Sequence, residues 1–453
     1  MKSVQLGLTL AIVLVFELIH PTLVEHAAPL AAQNNKHLPG PIDTNKDSSR
    51  PASMIPAVKN RSSDSSIFQQ PVKLPTQSPL AYNDNGNGDD STDSTRTVLI
   101  SAAHAKRGPR IDGQIQAVAI GDVDGDDLPE TVIAGLSRLW IYKFIKDRFV
   151  EMAALKGFGN YIGVDTSDVN GNGRDEIFVT NFDNGNGRVG SFVLEYDGRK
   201  FKRVAGLLNF YFRAINFPER GRVLFCQRQA QETLFQPGIH EIIWRDGKYR
   251  RGSRLEVPRK QNIFGMGIGS MAPAGEQRMI FAYDSGARLQ VMAASDGTQE
   301  WVSSRGFGMV PALVQVRSME SLSGNEYHYI NGRIEVLDLN ADEVEEVVVL
   351  RNEDLSGGFT RRTRFFKRGR IEILMSDALG MKTLLHTRYL PKLISDFAIG
   401  DLDQDGELEI VAGVVQKLKN ISGRGQSNIF LFDFAELIAK KGRDGGDESA
   451  PSP

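Results

Sequence analysis

One cysteine in 453 residues, Cys226, excludes any intrachain disulfide, so stability must come from packing, from metal or from both. It lies in the apolar run "RVLFCQRQ" and reads as a buried structural thiol with no further role. An excess of charge of either sign is also missing. The 54 basic residues meet 56 acidic ones with no basic stripe, which leaves nucleic acid without an electrostatic footprint. Histidine is scarce: beyond the N-terminal segments only His104, His240, His328 and His386 remain, none in a metal-ligand or nucleophile motif. Catalysis needs convergent acid, base or nucleophile groups, and the chain is read as a non-enzyme.

The apolar run Val4 to Phe16 is too short to span a bilayer comfortably. With Lys2 before it and Glu17, His20 and Pro21 after it, residues 1–24 read as a secretory signal or an uncleaved N-terminal anchor. Residues 25–95, rich in Pro, Ser, Asn and Asp, read as a disordered linker, and 437–453 as a disordered tail. The chain is therefore expected to be exported, and sequons at Asn60 and Asn420 matter only in a glycosylating host.

Between 96 and 436 the chain alternates short β-rich runs with Gly and Asp turns, which predicts an all-β fold. "IYKFIKDRFVEM", "VLEYDGRKFKRV" and "IIWRDGKYRRG" each read as a hairpin with a two-residue turn, at Lys146-Asp147, Asp197-Gly198 and Asp246-Gly247. First strands are expected near Ala117, Tyr161, Tyr211, Gly265, Arg333 and Ser395, a spacing of roughly 45 to 70 residues, the scale of propeller blades. A β-propeller of about six four-stranded blades follows, with a seventh left open. Insertions fall around Ser303 to Ile330 and Asn352 to Phe365. The sixth unit lacks a fourth strand, and "RTVLISA", Arg96 to Ala102, is expected to supply it and close the ring.

Four units carry an acidic loop in one grammar. The residues at its odd positions are Asp122, Asp124, Asp126, Leu128 and Glu130; Asp168, Asn170, Asn172, Arg174 and Glu176; Asp338, Asn340, Asp342, Val344 and Glu346; and Asp401, Asp403, Asp405, Glu407 and Glu409. Positions 1, 3, 5 and 9 always bear a side-chain oxygen, while position 7 varies, as expected of a residue that lends only its carbonyl to Ca²⁺. An EF-hand needs a bidentate Glu at position 12, where this chain has Ile133, Val179, Val349 and Ala412. Turn chemistry alone explains the Asp, Asn and Gly but not Glu at position 9 in all four loops.

This grammar resembles the FG-GAP, or VCBS, repeat of the integrin alpha-subunit propeller and of many exported bacterial proteins. The resemblance spans about Gln114 to Phe434, with "GFGNY" and "IFGMG" as the candidates for the signature FG dipeptide. It implies that each loop joins the first two strands of a blade and that positions 1, 3, 5, 7 and 9 hold calcium, giving about four Ca²⁺ sites. The third and fourth units, "AINFPERGRVLFC" and "GSMAPAGEQRMIF", lack the carboxylates and are expected to carry no metal. The expected function is a monomeric, calcium-binding module for protein interaction, adhesion or scaffolding. Its partner would be an unidentified protein or surface glycan, and membrane association would occur only through the N-terminal anchor. The alternative is a carbohydrate-binding or polysaccharide-processing propeller. Trp140, Trp244 and Trp301 read as blade packing in the first case and as sugar platforms in the second.

Overall fold

The computed structural model describes residues 98–100 and 105–433, apart from 218–219, 231–232, 259, 272–276, 318–324, 340–342, 356–363, 378 and 419–424. The signal, linker and tail expected at 1–24, 25–95 and 437–453 lie outside the described residues. Among the described residues there is no helix, and six antiparallel sheets form a six-bladed propeller.

Blade 1 comprises Ile115–Gly121, Glu130–Gly135, Arg138–Ile145 and Arg148–Lys156. Blade 2 has Tyr161–Ser167, Glu176–Asp183, Ser191–Tyr196 and Phe201–Leu208, and blade 3 has Tyr211–Phe217, Gly221–Gln227, Ile239–Arg245 and Lys248–Arg254. Blade 4 consists of Met266–Ser270, Arg278–Tyr283, Arg288–Ala293 and Gln299–Gly306, and blade 5 of Ile334–Leu337, Glu346–Asp354, Phe366–Asp377 and Gly380–Thr387. Blade 6 contributes Leu393–Gly400, Glu409–Lys417 and Gln426–Asp433 from the C-terminal part of the chain. The insertion after blade 4 is a separate hairpin, Met309–Arg317 with Asn325–Asn331.

The burial pattern follows from this stacking. A second strand is covered on both faces by neighbouring blades, so "ETVIAG" and "EIVAGVV" are apolar without alternation and wholly buried. A fourth strand lies at the rim, and Arg148–Lys156 is largely exposed. The core accordingly lies between blades: Val132, Ile141, Tyr161, Val164, Val179 and Phe192 form one cluster between blades 1 and 2. Cys226 is buried in the next, as expected of a structural thiol. Lys146-Asp147 and Asp246-Gly247 are two-residue turns with all four φ angles between 50° and 68°. At Asp197-Gly198 the turn is wider, because pairing resumes at Tyr196 with Phe201 and Asp197 collects the amides of Arg199 and Lys200.

Arg333 occupies the centre of the ring, 1% exposed. Its guanidinium meets Asp165 of blade 2 at 3.2 Å, Glu335 of blade 5 at 3.2 Å, Asp396 of blade 6 at 3.3 Å and the carbonyl of Val118 in blade 1 at 3.1 Å. Asp396 also accepts the Val118 amide at 3.0 Å. All four partners lie on first strands, so one cation ties four blades at the axis. Removing one partner of such a buried network costs roughly 3–5 kcal/mol, because the remaining charge is left uncompensated. The inserted hairpin lines the same space through Val310, Ala312 and Ile330, leaving about 10 Å³, room for about one water molecule.

Ring closure differs from the expectation. The fourth strand of blade 6 is Lys106–Ile111, paired antiparallel with Gln426–Asp433, whereas Val98–Ile100 runs parallel to the outer strand of blade 5. "KRGPRI" shows no apolar alternation, and its Gly-Pro step breaks the register between Arg107 and Arg110. A rim strand tolerates both, since it is paired on one side and largely exposed. Starting the chain at Ala105 is therefore predicted to preserve the melting temperature of a chain starting at Thr97 to within a few degrees, whereas starting at Asp112 lowers it markedly. Equal melting of the Ala105 and Asp112 forms would contradict the closure.

Candidate metal centre

The four acidic loops share one hydrogen-bond wiring. The position-1 aspartate accepts the amide of position 6: Asp122 from Asp127 at 2.9 Å, Asp168 from Gly173 at 2.8 Å, Asp338 from Glu343 at 2.9 Å and Asp401 from Gly406 at 3.1 Å. The position-9 glutamate accepts the amide of position 2: Glu130 from Val123 at 2.9 Å, Glu176 from Val169 at 2.9 Å, Glu346 from Leu339 at 2.8 Å and Glu409 from Leu402 at 2.7 Å. Position 6 always has a left-handed φ: 67° at Asp127, 82° at Gly173, 67° at Glu343 and 89° at Gly406. Asp and Gly suit that region; Glu343 is held there by its bond to Asp338.

The same wiring buries the position-9 carboxylate at the foot of each loop. Burial raises the Glu130 and Glu176 pKa to about 7, and burial with the charges of Asp403, Asp401 and Asp405 raises that of Glu409 to about 8. What faces this carboxylate from the third strand differs in each blade. Extending the strand register by one pair places Lys143 opposite Glu130, Glu195 opposite Glu176 and Met375 opposite Glu346, while Asp433 is the direct partner of Glu409.

In blade 6 the structure brings Asp401, Asp403 and Glu409 together, with carboxylate oxygens within 4.8 Å of one another. Oδ1 of Asp401 is buried without a hydrogen bond, and Asp405, Glu407 and Asp433 add charge nearby. Burial and the neighbouring carboxylates raise the Asp401 and Asp403 pKa. Lys106 is close, but its ammonium bonds Asp147 at 2.9 Å. Hard, crowded oxygens with an orphaned buried acceptor fit a calcium ion.

Blade 2 brings the charges of Asp168 and Glu195 to Glu176. The Asn170 amide donates to Glu176 and, at 3.3 Å, to Glu195, to which Asn172 also donates. Arg174 points away, to the carbonyl of Tyr196 at 3.4 Å. In blade 5, Asp338, Val344 and Glu346 are described, but Asn340 and Asp342 lie outside the described residues. There Glu345, at position 8, reaches the Ser270 amide of blade 4 at 2.6 Å.

Blade 1 brings Asp122, Asp124 and Glu130 equally close, but the ammonium of Lys143 stands among them. It lies 2.7 Å from Asp124 and 3.4 Å from Glu130 and bonds Asp126. Leu128, at position 7, is exposed. Lys143, Glu195 and Asp433 escape a reading confined to the loops because they lie on the third strand; the hairpin register is the signal that finds them. Blade 3 joins its first two strands by only three residues, too few for such a loop.

No family model matches the chain, and no curated protein matches it. Among solved structures it is similar to a crystal structure of BBS1N in complex with ARL6DN, soaked with lead. The TM-score is 0.36 and the identity 12%, over 73% of this chain and 97% of that one.

The buried glutamates make metal-free stability depend on pH. With its folded pKa at about 8, above the ordinary 4.5, Glu409 holds a proton more tightly in the folded than in the unfolded chain. Its contribution is complete below about pH 4.5 and is lost as pH rises toward about 8. In chelator, the melting temperature should fall from pH 5 to pH 8, and Glu409→Gln should flatten that fall. An unchanged slope in Glu409→Gln would contradict the assignment.

Proposed function

We propose that the protein is an exported, calcium-binding propeller of the FG-GAP/VCBS kind that works as a protein-interaction module. Calcium is held by the loops of blades 2, 5 and 6. The carrying observation is the carboxylate cluster of blade 6, which lies in the blade that closes the ring, so that metal binding stabilises the seam between the two ends of the propeller.

Two further features favour surface recognition of a macromolecule. The axis, where propellers can enclose small ligands, is filled by Arg333 and capped by the inserted hairpin. The three tryptophans do not form one platform: Trp140 is buried in blade 1, Trp301 packs against the core between blades 4 and 5, and Trp244 packs at a tilt of 59° on Tyr249, with ring centroids 4.7 Å apart, in blade 3. This arrangement favours the protein reading over the carbohydrate one.

The partner surface is the rim of blade 3. Its outer strand puts Lys248, Arg250, Arg251 and Arg254 into seven residues, a local basic stripe that corrects the expectation of none drawn from the balanced overall charge. Arg250 and Arg251 border a shallow concavity of about 480 Å³ with Arg228, His240 and Tyr249. The strand is paired on one side only among the described residues, which suits an acidic, extended peptide added at the edge. A labelled peptide alternating Glu and Val should bind the wild type and lose at least about tenfold in affinity to Arg250→Glu/Arg251→Glu, with strong salt dependence. Equal affinity of the two proteins would refute this surface. Calcium should raise the melting temperature of the stripped wild type, and no shift at millimolar calcium would refute the metal reading.

A further inference from the structure

In blade 1 the place of the metal is already taken. We propose that Lys143 is a resident cation of this loop, a built-in ammonium that replaces calcium, so that the propeller takes up metal in no more than three of its four acidic loops. The inference rests on the calcium reading of the other blades and refines it.

The geometry is that of a substituted ion. The ammonium contacts positions 3, 5 and 9 of the loop through Asp124, Asp126 and Glu130, the side chains that would otherwise converge on a metal. An ammonium has three donors and no acceptor, and three carboxylates stand around it. Burial works against the charged form, yet the hydrogen bonds to Asp124 and Asp126 hold the Lys143 pKa above its ordinary value. Asp122 is left to its structural task, accepting the amides of Gly125, Asp126 and Asp127.

The other blades supply the comparison. At the register position of Lys143 stand a carboxylate in blade 2, a thioether in blade 5 and a carboxylate in blade 6: Glu195, Met375 and Asp433. Only blade 1 presents a cation there. Its loop remains suited to a metal if that cation is withdrawn. Glu130 is fully buried with Oε1 lacking a hydrogen bond, and Oδ1 of Asp124 is buried without one. Because four methylenes carry the ammonium in from a neighbouring strand, blade 1 is neutralised within the folded chain and does not respond to calcium supply.

The test counts calcium. Wild type, Lys143→Met and Lys143→Arg, all stripped of metal, are titrated with calcium chloride and their bound equivalents read by native mass spectrometry and calorimetry. Lys143→Met, which copies the residue of blade 5, should bind one equivalent more than wild type, and chelator should lower its melting temperature by a larger interval. Lys143→Arg keeps the positive charge and should bind as wild type does. A Lys143→Met protein that folds and binds the same number as wild type overturns the inference while leaving the calcium reading intact. If wild type binds none and Lys143→Met binds one, the resident cation is upheld and the calcium reading of the other blades fails. If neither binds any, both fail. Should Lys143→Met not fold, Lys143→Gln carries the same expectation, and an unchanged count in it overturns the proposal.

Discussion

A glutamate buried at the foot of a loop, with one oxygen accepting a backbone amide, is the constraint on which each acidic blade depends. Glu130, Glu176, Glu346 and Glu409 hold this place in four blades of six. The hydrogen bond that the position-2 amide donates to this carboxylate fixes the turn between first and second strands; without it the buried residue at position 2, such as Val123 or Leu402, would lose its anchor. The cost is a charge out of water beside like charges. Blade 1 meets it with Lys143, and in blade 2 the side-chain amides of Asn170 and Asn172, which donate to Glu176 and Glu195, offset part of it. Blade 6 surrounds Glu409 with carboxylates, the arrangement most in need of an external cation.

The ring sets where that need matters. Arg333 joins the first strands of blades 1, 2, 5 and 6 at the axis, and position-8 carboxylates add contacts further out. Asp175 sits against Gly121 of blade 1, where a β-carbon would collide with it, and Glu345 sits likewise against Gly269 of blade 4. Blade 6 has in addition to recruit its outer strand from the start of the propeller, across more than 300 residues of sequence. Its loop also reaches blade 1, where the Gln404 side chain donates to the carbonyl of Asp127. Metal in blade 6 would therefore act on the blade whose fourth strand comes from the opposite end of the propeller sequence and closes the ring.

Much of this was legible in the sequence, because each blade buries its second strand on both faces and leaves its turns at the rim. First strands expected near Ala117, Tyr161, Tyr211, Gly265, Arg333 and Ser395 begin at Ile115, Tyr161, Tyr211, Met266, Ile334 and Leu393. The spacing of Asp and Glu within each loop likewise exposed the shared turn. Hidden from it was whatever crosses between elements. "KRGPRI" closes the ring without looking like a strand, and in "RTVLISA", which does, the described residues Val98–Ile100 pair with another blade. Arg333 reads as an ordinary polar residue before a strand until the ring brings Asp165 and Asp396 to it. Counting loop carboxylates alone makes blade 1 the equal of blade 6; the third-strand register separates them, since one supplies Lys143 and the other Asp433.

Blade 1 answers its buried glutamate with the ammonium of Lys143, and calcium is the proposed answer in blade 6. Anomalous diffraction from calcium-loaded crystals, recorded at long wavelength, separates the two in one experiment. A peak among Asp401, Asp403 and Glu409, with the ammonium of Lys143 in place and no peak in the blade 1 loop, is the predicted result. A peak in the blade 1 loop with Lys143 swung out, or no peak in blade 6 at saturating calcium, would contradict it.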